Sequence, residues 1–164
     1  MYTRLAKAFY FVTAIFFIAA FLYIYAALPE AVAYEVDGNS NLVKGMSRDS
    51  FFFVAIAIFV SLNLILVIPA KMVENQVLGR TRNLFKKGSP FRDSLLIWVY
   101  SFGGVVNLNL LLLVFYILRI NNFGGNAPSG FDILYYLIPF LLVGWIVALF
   151  ILLGKKIQQV QDTK

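Results

Sequence analysis

The sequence predicts an all-α membrane protein: a four-transmembrane-helix bundle forming a single integral membrane domain, residues 1–164, with a small extracytoplasmic loop or β-hairpin between helices 1 and 2. Hydrophobic residues make up 61% of the 164 residues and charged residues only 13%, against about 25% charged in an average soluble domain. The apolar residues form four long blocks, and about 20 such residues span the hydrocarbon core of a bilayer. A soluble chain this short would leave much of that apolar surface in water.

The four apolar blocks predict transmembrane helices at about 8–28, 51–70, 95–119 and 133–153. Each is close to the length that crosses about 30 Å of hydrocarbon at a helical rise of about 1.5 Å per residue. Helices are required because lipid offers no hydrogen-bond partner to backbone N–H and C=O groups. The first block follows a basic start, as a secretory signal would, but it exceeds the ~7–15 residues of a signal core, so we expect an uncleaved helix.

The connection between the first two helices has the pattern of a short hairpin. Val32, Tyr34 and Val36 alternate with small or polar residues, and residues 37–39 are a turn signal. Residues 47–50, with the sequence Ser-Arg-Asp-Ser, are suited to cap the second helix. The same connection carries side chains that can bind a partner, with a merely solvated loop as the alternative. They are Tyr34, Glu35, Asp37, Lys44 and Arg48.

Lys and Arg residues are unequally distributed between the two sides of the predicted bundle. Eleven of the 14 lie at the N-terminus, between the second and third helices, or at the C-terminus, and three lie on the opposite side. Because basic residues are retained in the cytoplasm, we expect a multi-pass protein of the inner (cytoplasmic) membrane with both termini cytoplasmic. The formal net charge of +6 has the same origin, so nucleic acid is not expected as a partner.

The longest basic stretch lies between the second and third helices and interleaves its charges with Leu84 and Phe85. Such a segment can lie on anionic headgroups, where each basic residue contributes about 1 kcal/mol. The residues expected at this membrane surface are Arg80, Arg82, Lys86, Lys87 and Arg92.

Polar side chains are few within the predicted helices, and no charged residue lies in the middle of any of them. We expect four of the polar residues to form hydrogen bonds between helices, worth about 0.6–2 kcal/mol each, with a polar pocket for a small ligand or lipid group as the alternative. They are Ser61, Asn63, Asn107 and Asn109. The predicted contact between the second and third helices is at Asn63 and Asn107.

The sequence contains neither Cys nor His. These residues provide thiolate and imidazole metal sites, disulfides and His-dependent acid–base catalysis. The helices also lack paired acids and a phosphate-binding glycine motif. We therefore expect a protein that is not an enzyme and that has no catalytic residues, metal or cofactor.

The junction of the first helix with the loop after it resembles the N-terminal membrane domain of the SdpI-like bacterial toxin-immunity proteins. The residues that carry the resemblance are Leu28-Pro29 at the end of the helix, Val32 in the strand, Gly38 in the turn and Ser47-Arg48 at the step into the second helix. That family usually has a His in the strand, and this chain has none. The resemblance implies an immunity or signal-transducing role.

The sequence leaves three functions open. The expected one is an accessory or structural subunit of a bacterial membrane assembly, in contact with the lipid bilayer and with other membrane proteins or further copies of the chain. An immunity or signal-transducing membrane protein is the first alternative. The second is small-solute transport by a multimer, which requires Asn63, Asn107 and Asn109 to line one water-accessible cavity.

Overall fold

A computed structural model describes residues 2–36, 42–75, 85–123 and 132–161. These residues form, in order, α1 (Tyr2–Ala27), β1 (Ala31–Val36), β2 (Leu42–Ser47), α2 (Arg48–Glu74), α3 (Pro90–Phe123) and α4 (Asp132–Gln161). All four helices are long and apolar enough to cross a membrane, and the two strands pair as an antiparallel hairpin between α1 and α2. The predicted fold class is therefore confirmed.

The helices extend beyond the predicted apolar blocks. α3 begins at Pro90 rather than near residue 95, and the Ser89 hydroxyl accepts a hydrogen bond from the N–H of Arg92 at 3.2 Å. Proline suits the first position of a helix because its missing N–H would have no partner there. Hydropathy identifies only the residues that lie in the hydrocarbon core of the bilayer. The backbone stays helical into the headgroup region, so the helices are longer than the predicted apolar blocks.

The hairpin leads directly into α2. Ser47, the last residue of β2, is the N-cap of α2, and its hydroxyl accepts a hydrogen bond from the N–H of Ser50 at 3.2 Å. In the hairpin Val32 is paired with Met46 and is fully buried, so one face of the hairpin packs on the helices. The predicted turn at 37–39 lies outside the described residues.

α3 is the central helix. Its most extensive contact is with α1, and α2 and α4 also pack on it. Two glycines permit the close approach of α1: a Cβ at Gly103 would lie 2.9 Å from Tyr10 Cδ2, and a Cβ at Gly104 would overlap the ring of Phe9. Small residues allow helix backbones to approach in this way inside membranes. The tightest pair of helices is thus α1 and α3, which are not neighbours along the chain.

Two apolar clusters form the interior. At the end of the bundle that carries the hairpin, which we call the hairpin end, the buried residues are Phe17, Phe21, Ile24, Leu28, Val32, Phe51, Phe59, Leu111, Val114, Ile117 and Ile120. At the opposite end they are Ala6, Tyr10, Ala70, Val73, Leu96 and Tyr100. We call this second end the basic end, since the Lys and Arg residues of the helix termini there include Lys7, Lys71 and Lys155.

α4 lies at the edge of the bundle. None of residues 139–158 is buried within the chain. The half-buried positions Leu142, Trp145, Leu149 and Leu152 recur every three or four residues and mark the face that packs on α3. The other side chains between residues 139 and 153 are exposed and apolar, and lipid is the environment that suits such a surface.

Replacing Gly103 with alanine should destabilise the bundle. The Tyr10 ring that the new methyl group would meet is buried, and its hydroxyl is bonded to Asn63. The ring therefore cannot move aside without losing that hydrogen bond. We expect the free energy of unfolding, measured by SDS titration in mixed micelles, to fall by about 1–3 kcal/mol.

The matched control is Gly144→Ala on α4. A Cβ at Gly144 meets no atom within 4 Å, and alanine is the better helix former by about 1 kcal/mol. This variant should be unchanged or slightly more stable. Equal losses in the two variants would contradict the role given to Gly103.

Candidate functional site

A polar layer crosses the interior between the two apolar clusters. The Tyr10 hydroxyl donates to Asn63 Oδ1 at 2.7 Å, and Asn63 Nδ2 donates to Asn107 Oδ1 at 2.9 Å. The three side chains belong to α1, α2 and α3, and all three residues are buried. Because the apolar surroundings offer these groups no other partners, the bonds determine which faces of the three helices meet.

Helical spacing explains why these residues meet. On α2, Asn63 stands four residues after the buried Phe59 and seven before the buried Ala70. On α3, Asn107 stands seven residues after the buried Tyr100. Residues separated by three, four or seven positions lie on one face of a helix, so each asparagine lies on the same stripe as the core residues around it.

The other two predicted polar contacts are placed differently. Ser61 is exposed on the outside of α2, because a residue two positions before Asn63 lies about 200° away around the helix. It faces away from the interior of the described bundle, so its contact with another helix stays a prediction. The Asn109 amide donates to the carbonyl of Val105 within α3 at 2.9 Å. The transport hypothesis gains no support, since Asn63 and Asn107 are buried against each other.

A second polar cluster, at the basic end, is built around Glu74, the last residue of α2. Its carboxylate accepts hydrogen bonds from Lys7 of α1, from Lys71 at 3.1 Å and from the Tyr100 hydroxyl of α3 at 3.2 Å. Arg92 Nη2 donates to the main-chain carbonyl of Glu74 at 3.1 Å. This bond satisfies one of the carbonyls that a helix C-terminus leaves unpaired. Three helices thus meet at one acidic residue.

The predicted membrane-surface cluster lies partly within the described residues. Lys86 and Lys87 are exposed, as a surface role requires. The Arg92 side chain is only 12% exposed, because it turns inward to the end of α2. Its guanidinium thus caps the end of α2, and its position at the membrane surface stays a prediction. Arg80 and Arg82 lie outside the described residues.

At the hairpin end of the bundle, α3 holds the hairpin through Asn121. Its Oδ1 accepts from the Ala33 N–H at 2.9 Å, and its Nδ2 donates to the Ala33 carbonyl at 2.8 Å. The side-chain amide therefore pairs with the backbone of β1 much as a neighbouring strand would. Its Nδ2 also donates to the carbonyl of Ile117 at 2.8 Å, which orients the amide. This side chain thus fixes the hairpin to the central helix, in addition to the packing of Val32.

The predicted partner-binding residues lie along this hairpin. Tyr34 is exposed, and Lys44 pairs with Glu35 on the opposite strand at 2.7 Å. The hydrogen bond and the charge of Glu35 raise the pKa of Lys44. Arg48 lies over an aromatic ring of α1, 5.5 Å from its centroid. Asp37 lies outside the described residues.

Two tryptophans join α4 to α3. Trp98 Nε1 donates to the carbonyl of Trp145 at 2.6 Å, and Trp145 Nε1 donates to the Ser101 hydroxyl at 2.9 Å. Each helix therefore supplies a donor to the other. These reciprocal bonds fix the rotation of α4 about its own axis.

Among the residues in these contacts that were not singled out in the sequence are Tyr10, Glu74 and Asn121. Glu74 carried a usable signal, because it is the sole acid between residues 50 and 92. Tyr10 is one of many aromatic residues in an apolar helix, and Asn121 lies where a polar loop was expected. Their partners on other helices or on the hairpin lie 18 to 88 positions away along the chain, so local pattern does not reveal them.

Removing the Asn63 amide should cost more stability than removing the Asn107 amide. Asn63→Leu breaks two bonds between helices and leaves both the Tyr10 hydroxyl and the Asn107 amide unpaired. Asn107→Leu breaks one bond and also removes Nδ2, a buried donor without a partner in the described residues. We expect the free energy of unfolding to fall by about 2–3 kcal/mol in Asn63→Leu and by about 1 kcal/mol in Asn107→Leu.

Asn109→Leu is the control, since it removes an amide of the same size whose described bond stays within α3. Its loss should be the smallest of the three. The double variant Asn63→Leu/Asn107→Leu should lose less than the sum of the single variants, because the two residues share a bond. Strict additivity would show that the two asparagines are not coupled.

Comparison of the chain with protein-family models, with curated proteins and with solved structures found no match. The SdpI-like resemblance therefore stays an expectation drawn from the residues around the hairpin. The function has to be argued from the contacts within the chain: three helices joined by polar bonds, a hairpin fixed to the central helix, and a fourth helix at the edge.

Proposed function

We propose that the chain is a non-catalytic accessory subunit of a membrane assembly and that it contacts its neighbours in the assembly through the exposed face of α4. The observation that supports this is the division of roles among the helices. The inner three use their polar side chains to bind one another, whereas none of residues 139–158 of α4 is buried. The partner is a transmembrane helix of another membrane protein.

The fixed rotation of α4 supports the same proposal. Because the tryptophan bonds hold one face against α3, the opposite face has a constant orientation. Its residues follow helical spacing and are well exposed: Phe140, Val143, Val147 and Phe150. Bulky apolar side chains on one face of a membrane helix pack well against a second helix, where van der Waals contact drives association.

Photo-crosslinking in membranes tests this proposal. A benzophenone amino acid replacing Phe150 should form a discrete adduct with another protein. The control is the same replacement at Ile15 on α1, which is equally exposed, at 67%, and which should label lipid. Lipid adducts alone at Phe150, or identical products at both positions, would overturn the proposal.

An immunity or signal-transducing role is a second proposal. It is favoured by the hairpin, which belongs to the segment that carries the SdpI-like resemblance and which Asn121 fixes to α3. Because the hairpin is held in this way, a partner that binds it outside the membrane can change the position of the central helix. The residues that such a contact would involve are Tyr34, Glu35, Lys44 and Arg48.

Deletion of the gene, followed by challenge with membrane-active peptides, tests the second proposal. The deleted strain should be more sensitive, and the wild-type gene or an Asn122→Leu variant should restore resistance. Asn121→Leu should fail to restore it, because the hairpin loses both bonds at Ala33. Asn122 is a suitable control since it is the exposed neighbour. Unchanged sensitivity after deletion would defeat the proposal.

A further inference from the structure

A cavity of about 220 Å³ lies at the basic end, between the start of α3 and the end of α4. Its lining combines two kinds of surface. The polar part is formed by Ser89, Ser94, Lys155 and Lys156, and the apolar part by Pro90, Phe91 and Leu152. None of these residues belongs to the polar clusters or to the proposed partner face of α4.

The two lysines of the cavity have no acidic partner among the described residues. Lys156 Nζ lies 5.7 Å from the centroid of the Phe91 ring, so its ammonium group is held over the cavity wall by a cation–π contact. The nearest acid on α3, Asp93, pairs with Arg92 at 3.3 Å. Two cations are thus placed beside two serine hydroxyls without a counter-charge, and an anion with several acceptor oxygens would complement them.

The apolar part of the lining narrows the choice of anion. It continues onto the exposed surface of α4, where Leu153 and Ile157 lie next to Leu152 and Lys156 along the chain. The cavity lies at the point where the apolar part of α4 ends and its lysines begin. In a membrane helix, this point lies at the level of the phospholipid headgroups. A ligand that satisfies both surfaces carries a phosphate at one end and alkyl chains at the other.

We propose that this cavity binds the phosphate of an anionic phospholipid, with Lys155 and Lys156 as its counter-ions and an acyl chain lying along α4. The serine hydroxyls donate hydrogen bonds to the phosphate oxygens. This site is separate from a general attraction of basic residues to the membrane surface, because it is a cavity with a defined lining.

Native mass spectrometry of the full chain, released from detergent with added lipids, tests the proposal. The wild type should retain phosphatidylglycerol at least about tenfold more tightly than phosphatidylcholine with the same acyl chains, since the lysines favour the anionic headgroup. K155Q/K156Q should lose this preference. K155R/K156R should keep it, which also shows that the α4 terminus tolerates substitution.

The matched control is K86Q/K87Q, which removes the same charge from exposed lysines of the same end that do not line the cavity. Because Lys86 and Lys87 are themselves expected at the membrane surface, their loss should weaken the preference, but at least about threefold less than K155Q/K156Q does. Equal losses in K86Q/K87Q and K155Q/K156Q would overturn the proposal in favour of diffuse attraction. Displacement of the lipid by equimolar glycerol phosphate would overturn it in favour of a free phosphate ligand.

Discussion

The hydrogen bonds that join Tyr10, Asn63 and Asn107 set the register of the three inner helices. In a bilayer, apolar helix faces gain little from meeting one another, because lipid tails are equally apolar. The two apolar clusters alone would therefore permit many rotations and offsets. A helix turned by one residue, about 100°, moves its polar group out of the layer and leaves an amide or hydroxyl unpaired in an apolar medium. That penalty selects the observed arrangement.

The position of α3 at the centre follows from the same layer and from two glycines. Gly103 and Gly104 permit α1 to come close to α3, and Tyr10 then reaches Asn63 on α2. At the basic end, Glu74 joins the same three helices again through Lys7 and Tyr100. Two polar clusters at different depths fix both the rotation and the tilt of the inner helices. The fourth helix is not part of either cluster, which explains why it lies at the edge.

Much of the fold could be predicted from the sequence because it depends on local properties. The four spans follow from runs of apolar residues, and the hairpin follows from alternation and from a serine suited to cap α2. The amides at Asn63 and Asn107 were singled out because they stand at similar depths. Ser61 lies outside the interior because it matches Asn63 in depth but not in rotation around the helix. Arg92 points inward because its partner, the end of α2, becomes a neighbour only after folding. Asn121 shows the same limit, since its bonds to Ala33 join residues 88 positions apart.

The attachments of α4 connect the proposed partner face with the proposed lipid site. Its middle is joined to α3 by the tryptophan bonds, and its basic end adjoins a cavity lined by lysines of α4 and by residues at the start of α3. A phosphate bound there would contact groups of both helices at once. Binding of an anionic lipid would therefore draw the end of α4 toward α3. The rotation of α4 is fixed at its middle. The same lipid would therefore also reduce the motion of the exposed face that a neighbouring helix contacts. Lipid composition could in this way control assembly without any change in the three inner helices.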